Sequence, residues 1–191
     1  MKNTNFNELA LKAYESAKAR GFHEVTHTDS HYIMLVACEL AEAVEADRCG
    51  RRADRKSYDF LSKEYGDTLI SHLFEMHIKD SVEDELADAV IRLLDYIGMK
   101  GIAIPDWDIS EPVINAILDM TFRDGWKHYQ TFAERVFVAC VGNIEMAKEL
   151  PESTIYSIFA IAGLYDIDLM WFIREKMKYN EQRERLHGKG Y

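Results

Sequence analysis

The stretch that decides the fold is Glu85-Leu-Ala-Asp88-Ala-Val-Ile-Arg92-Leu-Leu-Asp95-Tyr. Its four charged side chains recur every three or four residues, which places them on one stripe of an α-helix. The other side of that helix is apolar and carries Leu86, Val90, Leu93, Leu94 and Ile97. A surface helix needs a narrower apolar face than this one. The width of the apolar face therefore raises the possibility that the charged stripe is also buried.

A second acidic stretch has the same character: His31-Tyr-Ile-Met-Leu-Val-Ala-Cys-Glu39-Leu-Ala-Glu42-Ala-Val-Glu45-Ala. On a helix with about 100° between residues, its three glutamates share an arc of about 120° with His31. Like charges at this spacing repel each other, and burial raises the cost unless a cation lies beside them.

A divalent metal ion is the simplest cation that would make both acidic faces tolerable together. Carboxylate oxygens are ligands that suit Mg²⁺, or Mn²⁺ in its place, better than zinc. The alternative is a pair of amphipathic helices whose acids face water. The residues alone leave both interpretations open.

The composition favours a single all-α domain spanning residues 1–191. The chain has only 3 Pro and 10 Gly, residues that disfavour helix interiors, and no period-two alternation that would indicate strands. Capping residues and periodicity predict an antiparallel helix bundle. The predicted helices cover residues 7–20, 29–48, 58–79, 81–99, 111–132, 133–150 and 153–162, with a last one that begins at Asp166 or Asp168 and ends before Gly188.

The charge pattern narrows the possible partners. A formal net charge of −10 attracts neither nucleic acid nor an anionic membrane, so an anionic substrate would need local cations. The segment 172–191 is basic, and Lys176, Asn180 and Arg183 share one helix face. By itself this pattern favours a surface helix with cations near its C-terminus, where the helix dipole stabilises them.

The sequence also predicts a cytoplasmic protein. Its three cysteines have no metal-site spacing and fit a reducing compartment. No apolar run approaches the 18 residues that a membrane-spanning helix requires. The N-terminus has no apolar signal core.

Three segments together resemble the MazG-like, all-α nucleoside triphosphate pyrophosphohydrolases. The first begins Glu39-Leu-Ala-Glu42 and is similar to the Glu-x-x-Glu motif of that family. The second, Glu85-Leu-Ala-Asp88, is similar to its Glu-x-x-Asp motif, and residues 176–191 resemble the closing segment of many members. The ordered trio covers about a third of the chain.

The resemblance implies hydrolysis of a nucleoside triphosphate to a monophosphate and pyrophosphate. It implies that Mg²⁺ is bound by four acids, whose positions here are Glu39, Glu42, Glu85 and Asp88. It also implies that the basic tail contacts phosphates, and the candidates there are Lys176, Asn180, Arg183 and Lys189.

Two further expectations accompany the resemblance. Glu45 lies one turn beyond Glu42 and is a candidate for orienting or deprotonating the attacking water, although a solvated acid is an equal alternative. Members of the family associate through helix packing, so a homodimer is expected. The sequence departs from the simple pattern by an insertion at about 50–72 and by additional helices at about 106–165.

Three other classes compete with this interpretation. Di-iron bundles use Glu-x-x-His pairs, and neither acidic motif has a histidine at that position. A catalytically inactive helical module that binds a nucleotide or a metal would keep the same acids. A helical interaction protein would leave them solvated.

Overall fold

The computed structural model describes residues 5–104 and 131–183, except for the side chains of residues 67 and 68. Within these ranges the chain is all-helical and has no strand, which confirms the predicted fold class. The α-helices are α1 (Phe6–Ala19), α2 (Asp29–Arg48), α3 (Arg55–Tyr65), α4 (Ile70–His77), α5 (Val82–Lys100), α6 (Phe132–Ala139), α7 (Pro151–Leu164) and α8 (Leu169–Gln182). Two 3₁₀ segments, Gly66–Leu69 and Val141–Lys148, join some of them.

Helix α5 is the centre of the described fold. It packs against α1, α2, α7 and α8, and its apolar residues are buried except for Ile91 and Met99, which are partly buried. Those with no more than 1% exposure are Val82, Leu86, Ala87, Ala89, Val90, Leu93, Leu94, Tyr96 and Ile97. The Ser81 hydroxyl begins the helix by accepting from the Asp84 amide at 3.2 Å, and Gly101 ends it with a φ of 64°. Both caps agree with the sequence prediction.

Two predicted helices are broken in the structure. The prediction of one helix over 58–79 is wrong, because Gly66 adopts a φ of 64° and separates α3 from α4. The helix predicted over 133–150 is also interrupted. It leaves α-helical geometry after Ala139, and Asn143 has non-helical φ and ψ within the 3₁₀ segment that follows. The predicted helix at 111–132 falls almost wholly outside the described residues.

The last helix lies against α5 and brings one cation of the basic segment, Lys176, into the interior. Asp168 caps α8 by accepting from the Trp171 amide at 3.4 Å, which selects the second of the two predicted starting positions. From there Phe172, Ile173 and Lys176 are buried. Helix α8 therefore presents a cation to the charged stripe of α5.

No single helix among the described residues is long and apolar enough to cross a membrane. Within residues 5–104 and 131–183, one bent pair, Pro151–Leu164 with Leu169–Glu181, reaches that length and hydropathy, with an angle of 113° between its halves. Ile155, Ile158 and Ile161 of its first half are buried in the core.

Gly98 permits α1 and α5 to approach closely. A Cβ atom at this position would lie 2.4 Å from the Ala10 carbonyl oxygen and 2.7 Å from the Tyr14 Cβ. Backbone cannot move away as a flexible side chain can. The absence of a side chain at Gly98 therefore fixes the spacing of these two helices.

We expect Gly98→Ala to lower the free energy of unfolding by up to about 2 kcal/mol. Overpacking costs about 1–3 kcal/mol and outweighs the roughly 1 kcal/mol that alanine gains in helix propensity. Denaturant unfolding measures the change, with Leu11→Ala on the exposed side of α1 as the control. A Gly98→Ala protein as stable as the parent would contradict the close packing.

Candidate metal centre

Three acids predicted to bind a metal come together between α2 and α5. One carboxylate oxygen from each of Glu39, Glu85 and Asp88 lies within 4.8 Å of the others. Glu39 and Glu85 are only 4% and 5% exposed, whereas Asp88 is half-buried. These acids are close enough to hold one metal ion.

The other two glutamates of α2 lie outside this group. Glu42 is exposed, one turn beyond Glu39 on the helix. Glu45 is also exposed and accepts from Arg48 Nη1 at 2.6 Å. The predicted roles of Glu42 as a ligand and Glu45 as a catalytic residue stay predictions.

Two basic side chains compensate part of the buried charge. Arg92 Nε donates to Glu39 Oε1 at 2.7 Å. Lys176 Nζ lies 2.8 Å from both oxygens of Asp84 and 2.8 Å from Asp88 Oδ2. Burial alone would lower the pKa of the Lys176 ammonium, but Asp88 and Asp84 outweigh it and raise that pKa.

Asp84 is a member of the cluster that the sequence motifs did not single out. It lies three residues after the Ser81 N-cap, where an acid can close a capping box, but its carboxylate accepts from the Asp80 amide at 3.0 Å and not from the Ser81 amide. Its side chain is only 1% exposed, and its carboxylate forms an ion pair with Lys176. The sequence feature that could have identified Asp84 as a member of the cluster is its position one turn before Asp88, on the same side of the helix.

Glu85 is the acid of this cluster whose carboxylate has no cation directly beside it. Among the described residues, none donates a hydrogen bond to its side chain or forms an ion pair with it, although it is almost fully buried. Burial is the largest cause that raises the pKa of Glu85 to about 8, followed by the charges of Asp88 and Asp84. Burial, followed by Asp88, also raises the pKa of Glu39, which Arg92 opposes.

A cavity of about 90 Å³ opens beside the acids, between α1, α2, α5 and α8. Its wall combines Glu39 and Asp88 with three guanidinium groups and with apolar side chains. The guanidinium groups belong to Arg20, Arg92 and Arg183, and the apolar residues are Ala13, Ala17, Phe22, Ile91 and Met177.

Two of the predicted substrate-binding residues, Asn180 and Arg183, line this cavity. Asn180 Oδ1 and Arg20 Nε are both buried and have no hydrogen-bond partner in the described part of the chain. Lys176 instead lies against Asp84 and Asp88, and Lys189 falls outside the described residues. The cavity thus offers unused polar atoms next to the acids.

Histidines line the far side of the same charged stripe. His23 Nε2 lies 2.7 Å from Asp95 Oδ1, and His27 and His31 stack with ring centroids 4.0 Å apart. A smaller cavity of about 20 Å³ touches both stacked histidines and shares Arg92 and Asp95 with the larger one. The Asp95 end of the stripe is therefore bordered by histidines, with His23 and His27 in the segment before α2 and His31 on α2 itself.

No protein-family model matches this chain, and searches of curated proteins and of solved structures return no match.

The pKa of Glu85 predicts a pH dependence of stability. Its folded value of about 8 lies above the ordinary value of about 4.3, so between these values the folded state binds the extra proton. Without divalent ions, the free energy of unfolding should therefore fall as the pH rises from 5 to 8. One pKa unit corresponds to about 1.4 kcal/mol, and we expect a loss greater than this.

Denaturant unfolding in EDTA at pH 5 and pH 8 measures this dependence. Glu85→Gln should remove the corresponding part of the pH dependence because glutamine does not titrate. Glu15→Gln, which changes an exposed acid of α1, should leave it in place. Equal pH profiles for the parent and Glu85→Gln would show that the Glu85 carboxylate carries no such penalty.

Proposed function

We propose that this protein is a Mg²⁺-dependent, MazG-like nucleoside triphosphate pyrophosphohydrolase. The observation that carries the proposal is the convergence of Glu39, Glu85 and Asp88, from two acidic motifs 46 positions apart in sequence, at one place beside a cavity. By the same resemblance we propose a homodimer, and from the pattern of the three cysteines we propose a cytoplasmic location.

The donor set suits the proposed metal ion. Glu39, Glu85 and Asp88 would hold Mg²⁺, or Mn²⁺ in its place, through hard carboxylate oxygens. The feature that specifically suits a bound cation is the Glu85 carboxylate, which is buried without an ion-pair partner among the described residues. When bound, the ion would supply positive charge to the substrate phosphates and activate a water molecule.

The cavity is the proposed substrate site. Arg183 can bind phosphate oxygens with two parallel N–H groups, and its guanidinium lines the cavity together with Arg20. The Asn180 amide can bind a hydroxyl or an exocyclic group of the substrate. The apolar wall can contact the sugar or the base.

The proposed reaction adds water to the α-phosphorus. A bond forms between the water oxygen and that phosphorus, the bond to the oxygen bridging the α- and β-phosphates breaks, and a proton is released. Glu45 is the proposed acceptor of that proton. Its contact with Arg48 is between two exposed side chains, and such pairs are weak enough to exchange.

We expect the protein to release pyrophosphate from at least one nucleoside triphosphate when Mg²⁺ is present. A panel of ordinary and modified triphosphates, with coupled detection of pyrophosphate and orthophosphate, tests this. Glu85→Gln should reduce turnover at least about 100-fold, since loss of even a supporting residue at a metal site costs 10–100-fold. Glu15→Gln, remote from the cluster, is the isosteric control.

Other outcomes would reject this reaction. Orthophosphate with a diphosphate product would contradict cleavage at the α-phosphorus. Triphosphate binding in calorimetry without turnover would indicate the inactive binding module instead. If neither Mg²⁺ nor Mn²⁺ raises the melting temperature, the acids bind no metal, because a ligand of the native state must stabilise it.

We expect Arg183→Met to raise the KM for the triphosphate about tenfold or more, because a hydrogen bond to a charged group is worth about 1.5–3 kcal/mol. Arg174→Met is the matched control: Arg174 is exposed on the same helix and does not line the cavity. Steady-state kinetics on the best substrate measure both. An equal KM in both variants would remove Arg183 from the substrate site.

A further inference from the structure

We propose that the acid cluster takes a single divalent ion, because the Lys176 ammonium already occupies the place of a second one. The inference rests on the metal site of the proposed function and specifies its composition. It assigns Glu39, Glu85 and Asp88 to the ion, and Asp84 to Lys176.

A second ion would need the only other group of acids with metal-ligand spacing in the described residues. This group consists of Asp80, Asp84 and Glu85. Both oxygens of Asp84 lie 2.8 Å from Lys176 Nζ. The Asp80 carboxylate is exposed and accepts from Lys79 Nζ at 2.8 and 2.9 Å. Both oxygens of the buried Asp84 therefore contact a cation of the protein itself, whereas Glu39 and Asp88 each place one oxygen on such a cation.

Lys176 is built into the site. It is 4% exposed, and its ammonium lies 2.8 Å from Asp88 Oδ2 as well as from Asp84. The rings of Phe74 and Tyr179 lie 5.4 and 5.8 Å from Nζ, a distance at which aromatic faces attract a cation. Acids on one side and rings on the other thus hold the ammonium in place.

The charges of the cluster leave room for one divalent ion. When ionised, the four carboxylates of Glu39, Asp84, Glu85 and Asp88 carry four negative charges. Arg92 and Lys176 supply two positive charges at 2.7 and 2.8 Å. The remaining two negative charges are neutralised by one divalent ion, and a second ion would leave the buried site with excess positive charge, which is costly.

The side chain of Glu85 is a third observation that supports a single ion. It is 95% buried, with an exposure of 5%, and one of its oxygens lies within 4.8 Å of those of Glu39 and Asp88. The Lys176 charge acts on it from a distance, but no cation of the described residues forms an ion pair with it. The carboxylate that still needs a cation is thus that of Glu85, on the Glu39 side of the cluster, and not that of Asp84.

The number of bound ions tests the proposal directly. Mn²⁺ is titrated into the full chain without nucleotide, and electron paramagnetic resonance of free Mn²⁺ and calorimetry give the stoichiometry. We expect one ion in the parent protein. We expect two in Lys176→Met, where Asp84 and Asp88 lose their ammonium, and again one in the double variant Lys176→Met/Asp84→Asn.

Two ions in the parent, or one in a folded Lys176→Met, would overturn the proposal; the second result is expected if Lys176 only contacts phosphate. If Lys176→Met does not fold, the parent and the double variant decide, and each must bind one ion. If the parent binds two ions and hydrolyses a triphosphate, the single-ion inference is rejected and the proposed function stands. If it binds one ion but hydrolyses no triphosphate, the proposed function is rejected and the single-ion inference stands. If it binds no ion, both are rejected.

Discussion

Ionised carboxylates are costly to bury unless positive charge lies beside them, and the centre of this fold is organised by that constraint. Glu39, Asp84 and Glu85 are each no more than 5% exposed. Arg92 and Lys176 compensate two of the charges at hydrogen-bonding distance. Because the desolvation cost of an unpaired buried charge is several kcal/mol, the remaining charge makes a cation site the physical expectation.

The helices place these groups through packing that is otherwise ordinary. Helix α5 is covered on all but one stripe by apolar side chains, and the Gly98 contact sets how closely α1 approaches it. Helices α2 and α8 cover the stripe itself, one bringing Glu39 and the other Lys176. Since α1, α2, α5 and α8 also surround the cavity, the core that positions the acids positions the proposed substrate site too.

Local periodicity accounts for what the sequence predicted well. The stripe of Glu85, Asp88 and Arg92 depends only on helical spacing, and the Ser81 and Gly101 caps follow from local backbone chemistry. The break at Gly66 was not predicted, because a single glycine inside a helical pattern is tolerated as often as it ends one.

The features that could not be predicted from the sequence depend on how the helices pack against one another. Lys176 meets Asp84 across 92 residues, a separation over which no spacing rule operates, and the family resemblance implies a phosphate contact for it instead. Glu42 shares an arc with Glu39 on the helical wheel, yet only Glu39 is buried. The wheel defines which acids are neighbours on α2, but only the position of α5 decides which of them faces it.

The most direct test of the metal site is anomalous X-ray scattering from crystals soaked in Mn²⁺. The account predicts one anomalous peak between α2 and α5, about 2.0–2.6 Å from carboxylate oxygens of Glu39, Glu85 and Asp88, as expected for a hard divalent ion. A map with no peak at these three acids, in crystals where Mn²⁺ binds elsewhere, would contradict it.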